Sequence, residues 1–301
     1  MSYKSGFVSI VGRPNVGKST LTNRLCEEKV AIVSDKAGTT RDSIKGILTK
    51  GETQYVFIDT PGIHKPKHLL GEHMTNTAIR TLKEVDCILF VLDGTQEIST
   101  GDQYVMERIV EAGNTPRIAV VNKSDLFSDE EYSAKLQEIK EKLGEFNDVI
   151  MLSSQFGFGV ERLLNSLKDY MIDDCWYYPE DMYTDMPVYK IIGEIVREKL
   201  LERTKDEIPH SIAIEIINVN KRDEGQKDKF DVNIYVERES QKGIIIGKGG
   251  RLLKEVGTEA RKDIERLLDR TIYLNLWVKV KDKWRKKKPF LKELGYYLDE
   301  E

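Results

Sequence analysis

The segment Gly12-Arg13-Pro14-Asn15-Val16-Gly17-Lys18-Ser19 sets two glycines, a lysine and a hydroxyl at the spacing G-x-x-x-x-G-K-[ST]. That pattern wraps backbone around phosphate. Glycine lets the chain curl so that successive N–H groups point at phosphate oxygens. Lys18 reaches the β- and γ-phosphates and acts on the reacting group, and Ser19 offers its hydroxyl to Mg²⁺. The candidate phosphate contacts are Gly12, Asn15, Val16, Gly17, Lys18, Ser19 and Thr20. The apolar run Phe7–Val11 precedes the loop and reads as a buried strand, and Thr20–Leu25 reads as the first turns of a helix. A helix start there adds a positive dipole end to the phosphate site.

Four later segments complete the chemistry. Gly38-Thr39-Thr40-Arg41-Asp42 fits a flexible loop whose threonine ligates Mg²⁺ and senses a γ-phosphate. Thr40 is favoured, with Thr39 as the alternative. The strand Tyr55–Ile58 ends in Asp59-Thr60-Pro61-Gly62. There Asp59 can hold Mg²⁺ through water and the Gly62 N–H can bond the γ-phosphate. Ser19, Thr40 and Asp59 are thus the metal set, and Lys18, Thr40 and Gly62 join the catalytic set. The next residue is Ile63, which cannot orient water as a glutamine does, so slow intrinsic hydrolysis is expected. His64 to His73 is expected to be a solvated loop. After the strand Arg117–Val121 comes Asn122-Lys123-Ser124-Asp125. The Asp125 carboxylate can accept from guanine N1–H and the 2-amino group, neither of which adenine has. Asn122 is expected to tie this loop to the phosphate loop, and the Lys123 stem to cover the base. Ser153 and Ser154 follow the strand Val149–Leu152, with the Ser154 N–H as a candidate contact for the guanine carbonyl.

Strands alternate with helices such as Glu130–Leu143 and Val160–Tyr170. That alternation argues an α/β domain with a mostly parallel sheet and ligand loops at the carboxyl ends of its strands. The 301 residues suit two domains, and a 40% hydrophobic share suits packed cores. No apolar run reaches the length of a membrane span and no signal-peptide core opens the chain, so a cytoplasmic protein is expected. Cys26, Cys87 and Cys175 suit neither a disulfide framework nor a zinc site; the first two read as small buried side chains. Net charge is −4, yet Gln241–Lys292 holds sixteen Lys/Arg against six Asp/Glu, a balance of +10, leaving −14 elsewhere. Such segregation points to an anionic partner for one end.

Asp173 to Pro187 carries acidic residues, aromatics and two prolines and reads as a boundary, its aromatics packing between domains. The expected division is 1–173, a linker at 174–187, and 188–301. Val188–Arg203 reads as an amphipathic helix, Ser211–Ile217 and Phe230–Val236 as strands with a charged turn at Lys221–Lys229, and Ile272–Val278 as a closing strand. Between them Ile244-Ile245-Ile246 leads into Gly247-Lys248-Gly249-Gly250-Arg251, and a helix follows with Leu253, Val256, Ala260, Ile264, Leu267 and Leu268 on one face. This is similar to the G-x-x-G loop of a KH domain of the prokaryotic α-β-β-α-α-β order. Its glycines admit a sugar-phosphate backbone, its basic residues add charge, and its isoleucines line a groove for splayed bases. Lys283, Arg285 and Lys286 in the basic tail are further candidate phosphate contacts, which predicts salt-dependent binding. Peripheral contact with an anionic membrane through that tail is the weaker option.

The first-half motifs resemble the Era and TrmE branch of bacterial GTPases, and the addition of a KH domain extends the likeness to the Era family over essentially the whole chain. The resemblance implies a monomeric GTP/GDP switch with Mg²⁺. It also implies a K⁺ ion held by Asn15 as a catalytic contributor, and assembly of the small ribosomal subunit through RNA near the 3′ end of its ribosomal RNA. In such a switch GTP orders the Thr39–Thr40 and Gly62–His73 loops, which reposition the KH domain. Two rivals remain at this point: a constitutive RNA-binding protein whose first domain is structural, and an ATP-using enzyme with an RNA tether.

Overall fold

The computed structural model describes residues 3–143, 145–220 and 227–296. Residues 221–226 of the expected charged turn and residues 297–301 lie outside them. The chain divides into two compact units. The first comprises the N-terminal segment through Val33 with Ala37–Lys67 and Met74–Asp185; the second comprises Ser34–Lys36, His68–His73 and the chain from Met186 on.

In the first unit, strands β1 (Lys4–Val11), β2 (Ile44–Lys50), β3 (Thr53–Asp59), β4 (Cys87–Asp93), β5 (Arg117–Asn122) and β6 (Asp148–Met151) form one sheet in the order β2-β3-β1-β4-β5-β6. All neighbours are parallel except the edge pair β2 and β3, so β2 is the antiparallel member that motif reading did not single out. Helices α1 (Lys18–Cys26), α2 (Leu69–Thr81) from Met74 on, α3 (Thr100–Glu111), α4 (Asp129–Lys142) and α5 (Val160–Leu167) cover the two faces. Strand β4 shows why both faces need cover. Its Cys87, Leu89 and Val91 join one core with Leu21, Leu25 and Leu163, while Ile88, Phe90 and Leu92 join the other with Ala78, Val105 and Ile109. Successive strand side chains face opposite ways, so a strand apolar at every position must be buried on both sides. Strand β1 sits where the sheet order turns, between β3 and β4, and crevices open at such points beyond the carboxyl ends of strands. The phosphate loop leaves β1 there. Cys26 and Cys87 are buried and Cys175 is exposed.

The segment read as a linker is fastened to the first unit through residue 185. Gln54, fully buried, anchors it with both ends of its amide. Its Oε1 accepts from the N–H groups of Tyr177 and Tyr178 at 2.9 and 3.0 Å, and its Nε2 donates to the Tyr178 carbonyl at 2.9 Å. Ile47 N–H donates to the Tyr183 carbonyl at 2.8 Å and Thr184 Oγ1 to the Lys45 carbonyl at 2.6 Å. These bonds blunt the open edge of β2, a row of unpaired groups that would otherwise template another strand. The aromatics here pack inside the first unit, Phe7 against Tyr177 with ring centroids 4.8 Å apart.

The second unit places α6 (Val188–Arg203), α7 (Ile208–Ser211), α8 (Glu239–Ile246) and α9 (Arg251–Leu268) with a sheet of β7 (Ala213–Asn220), β8 (Asp228–Val236) and β9 (Ile272–Val280), and ends in α10 (Lys288–Glu293). Strand β8 is central, antiparallel to β7 and parallel to β9. Val256, Ala260 and Ile264, four apart on α9, meet Ile192, Val196 and Leu200 of α6 and the inner face of β8 in one core. Lys199 adds an ion pair to Asp263 at 2.9 Å between those helices. Leu267, expected on that face, is instead 47% exposed; Leu268, four past Ile264, continues the stripe against that core in its place.

Removing the Gln54 amide leaves four backbone and side-chain partners short of a bond, one of them Thr49 Oγ1 at 2.9 Å. Gln54→Ala should therefore destabilise the first unit by about 2–3 kcal/mol, read as a lower midpoint in urea unfolding. An unchanged midpoint would show that the strap does not depend on this residue.

Candidate functional site

The phosphate loop holds its shape by close backbone approaches. A Cβ on Gly12 would lie 2.4 Å from the Val91 carbonyl oxygen, and one on Gly17 2.2 Å from Asn122 Nδ2. Gly17 has φ 98° and Asn15, at φ 67°, is also left-handed, so the loop turns back on itself at both positions. Asn15 is exposed and Val16 is buried beneath it. Lys18 is buried, and its Nζ donates to the Arg13 carbonyl at 2.8 Å across the loop. Burial lowers its pKa to about 8, with Asp59 pulling it back up.

Three oxygens predicted to share a cation converge beside it. Ser19 Oγ is 2.6 Å from Asp59 Oδ2 and 2.9 Å from Thr40 Oγ1. Burial raises the Asp59 pKa to about 6, against hydrogen bonding from Ser19 and the charge of Lys18. The second carboxylate oxygen, Oδ1, is buried with no hydrogen-bond partner among the described residues. A desolvated carboxylate with an orphaned oxygen, flanked by two hydroxyls, fits a hard cation with oxygen ligands. Thr39 is buried next to Thr40.

Gly62 lies against the loop, where a Cβ would be 2.7 Å from Pro14 N. The Ile63 N–H donates to the Gly12 carbonyl at 3.1 Å while its side chain, 1% exposed, is part of the core. The Ile63 side chain therefore faces the core and not a nucleotide. His64 Nδ1 lies 2.9 Å from the Gly62 carbonyl. The expected loop from His64 to His73 is corrected in its second half, since α2 begins at Leu69 and His73 is buried on it.

At the other end of the site Asn122, 3% exposed, donates from Nδ2 to the Val16 carbonyl at 2.9 Å. Its Oδ1 accepts from Ser154 N–H at 3.0 Å and Ser154 Oγ at 2.9 Å. One amide thus joins the phosphate loop, the end of β5 and the loop after β6. The Ser154 N–H, expected to meet a base, serves Asn122 in this structure. Ser153, also a candidate contact, is fully buried; its N–H donates to the Phe158 carbonyl at 2.9 Å and its Oγ accepts from Phe156 N–H at 3.2 Å, so it shapes that loop from within. Lys123 has a left-handed backbone, φ 66°, and its ammonium reaches Asp93 Oδ2 at 2.5 Å. Asp125 is half-exposed on the 3₁₀ turn Ser124–Leu126. Thr20 is half-buried in the first turn of α1.

In the second unit Gly247, Gly249 and Gly250 have φ 75°, 61° and 77°, and a Cβ on either of the last two would meet nothing within 4 Å. The turn is open on its outer side, with Lys248 and Arg251 exposed. Ile245 is corrected as a groove residue. It is fully buried in the core, because on a helix one of three successive residues must face the sheet. Ile244 is 52% exposed and Ile246 half-buried. Beside the turn runs a groove of about 470 Å³ between α9 and the edge strand β9. Leu253, Leu274 and Leu276 give it apolar walls, and Lys254, Arg261 and Trp277 line it as well. The strand wall escaped motif reading; its signal was the exposed aromatic pair Tyr273 and Trp277 four apart on a strand. In the tail, Trp284 is fully buried, with Nε1 donating to the Ser211 carbonyl at 2.7 Å. That anchor leaves Lys283 and Lys286 exposed, whereas Arg285 pairs with Glu237 at 2.7 Å, so Arg285 is partly committed within the fold.

Comparison with known proteins agrees with both halves. A family model described as 50S ribosome-binding GTPase matches residues 7–123, and one described as KH domain matches residues 207–285. GTPase Era of Fusobacterium nucleatum subsp. nucleatum is 66% identical over 293 residues, covering 97% of this chain and 99% of that protein. A crystal structure of Era with MgGDPNP and nucleotides 1506–1542 of 16S ribosomal RNA superposes with TM-score 0.94 at 39% identity, covering 98% of this chain and 100% of that one. A variant of Aquifex aeolicus Era bound to GDP.AlF4- does so with TM-score 0.93 at 39% identity and the same coverage. Identity sustained along nearly the full length of both chains, on a site whose loops meet as described, leads to one conclusion: this chain belongs to the Era family of GTPases.

Proposed function

We propose that the chain is a GTP-hydrolysing switch with Mg²⁺ that binds single-stranded RNA near the 3′ end of the small-subunit ribosomal RNA and assists assembly of that subunit. The observation that carries the switch is the convergence of Ser19, Thr40 and Asp59. A phosphate loop, a preceding-strand loop and a strand end meet at one point, so a third phosphate and its cation can alter all three together. Lys18 holds the β- and γ-phosphates, whose charge counteracts the lowering of its pKa by burial. Gly62 brings its backbone to the γ-phosphate. With Ile63 sunk in the core, intrinsic hydrolysis is slow and the attacking water is oriented by backbone and by an ion. Asp125 reads guanine, Lys123 covers the base and Asn122 keeps the base loop in register with the phosphates.

The RNA reading rests on the open glycine turn beside the groove of α9 and β9. Bases lie against Leu253, Leu274 and Leu276, and phosphates meet Lys248, Arg251, Lys254, Lys283 and Lys286. The relative solved with 16S ribosomal RNA supports the choice of RNA. The working division is a nucleotide unit through residue 185 and an RNA unit from residue 186 on, acting as a monomer in the cytoplasm. Among the described residues no helix is long and apolar enough to cross a membrane.

RNA affinity of the full chain should be about tenfold higher with a non-hydrolysable GTP analogue than with GDP, and should fall steeply with salt. Equal affinity with both nucleotides would return the chain to the constitutive RNA-binding reading. Asp125→Asn should move preference from guanine to xanthine nucleotides by two orders of magnitude or so, about 10²-fold, in competition binding; retained GTP preference would remove Asp125 from base recognition. Asn15 projects from the exposed crest of the loop, and we assign it a K⁺ ion that adds positive charge as the β–γ bond breaks. Turnover should then be about tenfold or more faster in K⁺ than in Na⁺, with Asn15→Ala erasing the difference. Identical rates in the two salts would refute this.

A further inference from the structure

A second tie joins the two ends of the nucleotide cradle, on different residues from the Asn122 bridge. It starts at Arg13 in the phosphate loop. Arg13 Nε donates to Asp102 Oδ1 at 2.7 Å, and Nη2 donates to Gln96 Oε1 at 3.0 Å. Gln96 Nε2 then donates to Asp93 Oδ2 at 3.3 Å, and the same carboxylate oxygen takes the Lys123 ammonium at 2.5 Å. The chain of contacts therefore runs from the phosphate loop to the base loop through two side chains that touch neither phosphate nor base.

Both carboxylates in it are held rigidly. Asp93, 6% exposed at the end of β4, accepts on Oδ1 from Thr95 N–H at 3.0 Å and Thr95 Oγ1 at 2.6 Å. Burial alone would raise its pKa, but bonds from Lys123 and Thr95 outweigh it and hold the carboxyl below the usual range. Asp102, 1% exposed, closes the capping box of α3 with Ser99, its Oδ2 accepting from Ser99 N–H at 2.8 Å. Gly101 lies directly on the Arg13 stem, where a Cβ would be 2.6 Å from Cδ. Lys123 has a specific need for a partner. Its left-handed backbone is strained in a residue with a Cβ, and the ion pair to a buried, fixed carboxylate orders its long side chain.

We propose that Asp93 and Gln96 are positioning residues that couple the base loop to the phosphate loop and so set how slowly guanine nucleotide leaves. The proposal rests on the nucleotide reading above. Two independent loops can let go of a ligand one after the other. Loops bridged on two sides must open together, which makes each partial opening rarer. The Asp93 ion pair also keeps the methylenes of Lys123 in place over the base by fixing their far end.

The test is release of a fluorescent GDP from the full chain in Mg²⁺, followed by stopped flow for Asp93→Asn, Gln96→Ala and the double variant. Loss of the ion pair should speed release about tenfold and loss of the bridge about threefold, with the double variant no faster than Asp93→Asn alone, because one cut already severs the chain. Gln96 is exposed, so Gln96→Ala should melt within about 2 °C of the parent, which separates coupling from loss of fold. If Asp93→Asn melts early, Lys123→Met removes the ammonium alone and replaces it in the cycle. Multiplying effects, near thirtyfold in the double variant, or unchanged release in the single variants, would overturn the coupling. A parent chain that fails to bind GDP would count against the nucleotide reading instead.

Discussion

A buried carboxylate whose second oxygen has no hydrogen-bond partner among the described residues is the constraint around which the first unit is arranged. Asp59 sits at the end of β3 with both faces of the sheet packed, beside the Ser19 and Thr40 hydroxyls and the buried Lys18 ammonium. A protein interior does not favour such a charge. A hard cation with oxygen ligands, together with phosphates, would complete it. Loop 38–42, whose Thr40 hydroxyl meets Ser19, lies outside the sheet ladder.

The base end is built on the opposite principle. Asn122 has its donor and its acceptor satisfied by three segments far apart in sequence, and a fully satisfied buried amide resists rearrangement. Around it the outer tie through Asp93 and Gln96 closes the front. A fully bonded amide at one end of the site and a cluster with an orphaned carboxylate oxygen at the other are what distinguish the two ends. The second unit repeats the division in simpler form. Its helices and sheet share one apolar core, and what is left for a partner is the open glycine turn, the groove wall of β9 and the lysines held outward by buried Trp284.

Much of this was legible in the residues. The phosphate loop, the Asp-x-x-Gly turn and the Asn-Lys-x-Asp tetrad declare themselves because each needs particular atoms at a fixed local spacing, and backbone geometry over four to eight residues is set locally. The strands of the first sheet are legible for a related reason, since unbroken apolar runs such as Cys87–Leu92 have no other stable place. Motif reading was weaker where partners are distant. It could not say that Ile245 faces inward while Ile244 does not, that Ser154 would spend its N–H on Asn122, or that residues 174–185 would be strapped to β2 and β3 by Gln54.

The sequence by itself therefore determined which chemistry the chain carries, a guanine nucleotide site followed by an RNA-binding turn, because short motifs encode donors and acceptors directly. Only the tertiary structure decided which of those groups meet. The Ser19–Thr40–Asp59 cluster, the two ties across the nucleotide cradle and the strand wall of the groove each join segments tens of residues apart or more, and such contacts exist only once packing has chosen the neighbours.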